Sequence, residues 1–77
     1  MEIEMGEMAL ICSGSITNRK KSELYLKKML RNANKYEVPK RLIQKSLNLV
    51  KKMSQKDFER EVNIFIQKTF YTNHTWN

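Results

Sequence analysis

Projected as a helix, Arg41, Lys45 and Lys52 fall within about 40° of one another, with Asn48 beside them. Lys20, Lys27, Arg31 and Lys35 make a second row of the same kind, flanked by Lys28. Fixed cations at this spacing suit a polyanion, because phosphates are neutralised by several of them at once and release counterions when they meet. The six residues expected to contact nucleic acid, DNA or RNA, are therefore Lys27, Arg31, Lys35, Arg41, Lys45 and Lys52. Few side chains able to read base edges cluster at one helix start, so the expected contact is with the backbone rather than with sequence.

The other reactive side chains do not assemble. Cys12 and His74 stand at opposite ends of the chain and cannot make a zinc site in one copy. Asp57 and Glu59 lie on different faces of their helix and are not a catalytic carboxylate pair. No P-loop, GxGxxG or HExxH is present, and the only glycines are Gly6 and Gly14. We expect no catalytic residue, no metal and no cofactor, and read the chain as a non-enzymatic regulatory binding module.

Charge is segregated along the chain. Residues 1–18 carry Glu2, Glu4 and Glu7 and no base, a net of −3; residues 19–36 carry +6 and residues 37–53 carry +4. Residues 54–77 are neutral, and the whole is +7. Lysines on outer helix faces often do no more than keep a small domain soluble, and a net charge of this size is within the ordinary range. Like charges packed on one ridge repel, however, and stability alone would intersperse them. The acidic segment is also placed to fold across the basic rows and screen them.

A second reading is a protein-binding inhibitor or adaptor, of the sort a phage or other mobile element encodes against a host protein. Its partner would be an acidic protein surface met by the basic rows, or a groove filled by Ile64, Tyr71 and Trp76. Ile64 and Tyr71, seven residues apart, project away from the main stripe of their helix, and aromatic anchors in a neutral surround are what interfaces favour. The same residues would serve a homodimer.

The elements that must position these groups are helical. Tyr25, Leu26, Met29, Leu30, Ala33 and Tyr36 share one stripe and predict a helix over about 22–36, with Ser22 as its cap. Pro39 opens a second, about 39–53, whose apolar face is Leu42, Ile43, Leu47, Leu49, Val50 and Met53. Ser54 caps a third, about 55–71, with Phe58, Val62, Phe65, Ile66, Thr69 and Phe70 on its stripe. The expected fold is all-α: a small three-helix bundle spanning 19–71, preceded by a loosely attached acidic arm over 1–18, flexible or a short strand, and followed by a tail over 72–77.

Composition sets the outer limits. Seventy-seven residues make one domain with a small core. A single cysteine forms no internal disulfide, which places the chain in a reducing, cytoplasmic setting. The longest apolar run, Met8 to Cys12, is far short of the roughly 20 residues a membrane span needs. Three glutamates occupy the N-terminal stretch where an export signal carries positive charge. Adhesion to an anionic membrane is disfavoured because the apolar stripes match one another.

Overall fold

A computed structural model describes residues 3–71 of the chain. It contains four helices: α1 (Met5–Gly14), α2 (Arg19–Arg31), α3 (Lys40–Lys52) and α4 (Gln55–Ile66). Among the described residues there is no strand. The first three helices pack mutually, and α4 lies against α1 and α2 more sparsely.

The expected three-helix bundle with a loose arm is thus corrected to four helices. Over its described residues, 3–18, the arm is neither frayed nor a strand. Met8, Leu10 and Ile11 of α1 are buried in the same core as Leu26, Ile43, Val50 and Phe58. Glu7, at the third helical position, accepts the backbone N–H of Glu4 at 3.1 Å and closes the first turn. The exposed positions of α1 are Met5, Gly6, Ala9 and Ser13, mostly apolar or small, so its solvent side differs little in hydropathy from its buried side and the helix shows no one-sided stripe.

Gly14 ends α1 at a close approach to α2. A Cβ at this position would stand 2.9 Å from Ser22 Cα and 2.9 Å from Tyr25 Cβ, so no larger residue fits without displacing α2. The two helices are also joined by the buried Ser22 hydroxyl, which donates to the Ile11 carbonyl at 2.7 Å. That carbonyl is one of the last four of α1, which the helix itself leaves without partners. Ser22 is therefore a link between helices and not the cap that the sequence predicts. The cap is Asn18, whose side chain accepts the Lys21 N–H at 3.1 Å, and α2 begins at Arg19.

At its other end α2 stops at Arg31, earlier than expected, and a single 3₁₀ turn, Ala33–Lys35, follows. Tyr36 lies beyond this turn in extended conformation and is 39% exposed, so it leaves the core stripe to which its spacing assigns it. Pro39 precedes α3 and accepts the Leu42 and Ile43 N–H groups on its carbonyl. Ser54 caps α4 as predicted, its hydroxyl accepting the Asp57 N–H at 3.0 Å. Beyond Ile66 the helix widens into a π-helical turn, Gln67–Tyr71, where Phe70 is 58% exposed rather than on the buried stripe.

A polar clamp ties the start of α2 to the α3–α4 junction. One guanidinium nitrogen of Arg19 donates to Glu23 Oε1 at 2.8 Å and to the Val50 carbonyl at 3.0 Å. The Gln55 side chain accepts the Arg19 N–H at 2.9 Å and donates to the Thr17 carbonyl and Glu59, both at 2.7 Å.

Candidate nucleic-acid interface

α3 carries Lys40, Arg41, Lys45, Lys51 and Lys52 and no acidic residue. All five are exposed, and none is ion-paired with another described residue. Its inner side is the apolar set Ile43, Leu47 and Val50, buried in the core, so the cations are forced outward. On the helical wheel the outer arc runs Lys51, Gln44, Asn48, Arg41, Lys52, Lys45 and covers about 120°. Gln44 and Asn48 at its centre are bonded to one another, amide nitrogen to amide oxygen, at 3.0 Å.

The two edges of this arc border different grooves. On the α2 side, Lys27, Arg31 and Lys51 surround a floor made by Leu30 and Leu47, with Leu24 at its mouth. On the α1 side, Lys45, Asn48, Leu49 and Lys52 share a shallow depression with Glu4 and Glu7. Glu4 and Glu7 thus border the same depression as the α3 cations, and neither is ion-paired with Lys45 or Lys52. Glu7 is buried and already engaged with the Glu4 backbone. Glu2 lies outside the described residues.

The six residues expected to contact phosphate are consequently distributed. Arg41, Lys45 and Lys52 share the α3 arc. Arg31 is exposed across the α2 groove. Lys35 sits in the 3₁₀ turn after α2, out of the row to which a longer helix would assign it. Lys27 is not a free cation, since its ammonium is 2.9 Å from Glu23 Oε2. The hydrogen bond from Lys27 and then that from Arg19 hold the Glu23 carboxyl well below its ordinary 4.5, at about 2. The acid thus engages two of the basic side chains of α2, leaving α3 as the more uniformly positive helix. Lys51 belongs to the arc and lies outside the six; it projects about 100° from Lys52 and so off the row. The absence of any acid between Pro39 and Met53 was the signal that includes it.

Ile64, expected at a partner interface, is 40% exposed on the outer side of α4. Tyr71 closes the π-helical turn, its side chain outside the described residues, as are Trp76 and His74.

The remaining reactive groups are held in structural roles. Cys12 is half-buried, and burial pushes its thiol pKa up, which keeps it protonated and a poor nucleophile. Asp57 pairs with Arg60 at 3.1 Å, and Glu59 accepts from Gln55. Among the described residues no group of three His, Cys, Asp or Glu is placed to hold a metal ion, and no helix is long and apolar enough to cross a membrane.

Comparison of the chain with protein-family models, with curated proteins and with solved structures found no match.

Proposed function

We propose that this chain is a non-enzymatic regulatory binding module whose α3 face contacts the phosphate backbone of a nucleic acid. One observation carries the reading: five exposed cations on a single helix without an intervening acid, none of them ion-paired with another described residue. Such a helix repels itself along its own length and is relieved by a polyanion. The contact follows the backbone rather than base edges. The two amides on the arc are bonded to each other, so neither is poised for the paired hydrogen bonds that identify a base.

The test is the double variant Arg41→Glu/Lys45→Glu, which leaves the buried face of α3 intact. Its affinity for a mixed-sequence duplex and for single-stranded RNA, read by fluorescence anisotropy at low salt, is expected to fall by about a hundredfold or more. An affinity equal to that of the original chain would remove α3 from the interface.

A second reading, a protein-binding inhibitor or adaptor, has one observation in its favour. The groove between α2 and α3 has an apolar floor, with Leu24 57% exposed at its mouth and Arg31 and Lys51 at the rim. This chemistry fits an acidic amphipathic helix better than a phosphate chain. Leu24→Ser separates the two: it spares nucleic-acid binding and weakens a protein complex built on this groove.

A further inference from the structure

The flank of α4 beside α1 carries a charge pattern that is its own complement. Glu61, Ile64, Phe65 and Lys68 border a depression shared with Met5 and Met8 of α1, and no residue of α3 lines it. Met5 is 58% exposed and Ile64 40% exposed, so apolar surface lies open on both sides of the depression. The Glu61 side chain is only 16% exposed, and among the described residues the cation paired with its carboxylate, Arg60, stands 4.0 Å away. Arg60 is itself held more closely by Asp57, at 3.1 Å. A partly buried carboxylate so weakly matched gains from a second cation. Lys68, in the π-helical turn that continues α4, is exposed and forms no ion pair with a described residue.

We propose that α4 is a homodimer face, on which two copies of the chain pair antiparallel about a two-fold axis between Ile64 and Phe65. Reversal about this point places Glu61 of each copy opposite Lys68 of the other, and Ile64 of each against Phe65 of the other. The contact is isologous and therefore closes at two copies. Parallel pairing would set like charges together and is disfavoured. The occupant is a second copy because the two opposite charges stand three residues to either side of the apolar pair along one continuous helical segment. The inference is independent of nucleic-acid binding, since the two faces share no residue.

The experiment is sedimentation equilibrium of the full chain from micromolar to millimolar concentration, with circular dichroism verifying the fold of each variant. The original chain is expected to dimerise as concentration rises. Glu61→Lys and Lys68→Glu are each expected to weaken association by about tenfold or more, since each sets like charges opposite one another. An equimolar mixture of these two chains is expected to recover dimer, because each then presents what the other lacks. The double variant Glu61→Lys/Lys68→Glu restores both pairs within one sequence and is expected to dimerise like the original; it decides the matter alone if a single reversal unfolds the chain. A chain monomeric at every concentration would overturn the proposal. A dimer insensitive to either reversal, or weakened without recovery in the mixture or the double variant, would overturn it equally.

Discussion

α3 and α4 follow one another with only Met53 and Ser54 between them, and both bury an apolar stripe in the same core, yet their outer faces differ in kind. The α3 face is of one sign throughout, five bases and no acid. The α4 face alternates, with Asp57, Glu59 and Glu61 against Lys56 and Arg60, followed by Lys68 in the turn beyond. A one-sign face cannot pair with a copy of itself and needs an anion of another kind. A face with opposite charges placed symmetrically can pair with itself. Net charge alone hides this contrast, because the total of +7 averages over both helices.

The inner sides should respond far more strongly than the outer ones. Phe58 is fully buried and is the largest side chain anchoring α4. Phe58→Ala is expected to cost about 3–5 kcal/mol in urea unfolding, enough to release α4 from a domain this small. By contrast Ile64→Ala, on the outer side of the same helix, is expected to leave the unfolding free energy within about 0.5 kcal/mol when measured at a concentration where the chain is monomeric. A large loss at Ile64 would mean that α4 is seated differently from the arrangement described.

A smaller effect distinguishes α2 from α3. Glu23 is pulled from its ordinary 4.5 to about 2 by Lys27 and Arg19, so its contribution is complete above about pH 4.5 and is lost as pH falls through about 2. Urea midpoints measured between these limits should decline for the original chain. Glu23→Gln should start lower, by on the order of 1 kcal/mol, and decline less steeply over the same range. It should also free Lys27 and tighten polyanion binding slightly. A Glu23→Gln chain with the same decline as the original would locate the acid sensitivity elsewhere.

Much of this arrangement was legible from spacing. The Ser54 cap, the buried face of α3 and the boundaries of α3 follow from local rules, since each depends on residues a few positions apart. What escaped has identifiable causes. α1 is apolar on nearly every side, and its two glycines resemble turn residues; Gly14 in fact marks a close helix approach. The start of α2 was misplaced because Arg19, Lys20 and Lys21 are poor company for the positive end of a helix. The structure resolves this through contacts remote in sequence, with Arg19 held by the Val50 carbonyl and by Gln55. The loss of Lys27 as a free cation was readable, because Glu23 stands four residues before it, the favoured order for a helical ion pair. That Glu4 and Glu7 border one depression with Lys45 and Lys52 was not readable from local spacing, since it depends on how α1 crosses α3.

The central claim is that α3 acts as a fixed row of cations, and the salt dependence of duplex DNA binding tests it most directly. With the five basic groups of α3 engaged, the logarithm of the binding constant should fall linearly against the logarithm of salt concentration, with a slope of about −4. The Arg41→Glu/Lys45→Glu chain should show a slope shallower by about 2 units. Absence of binding at low salt, or a slope unchanged by the double reversal, would contradict the account and leave the α3 cations as a solvated face.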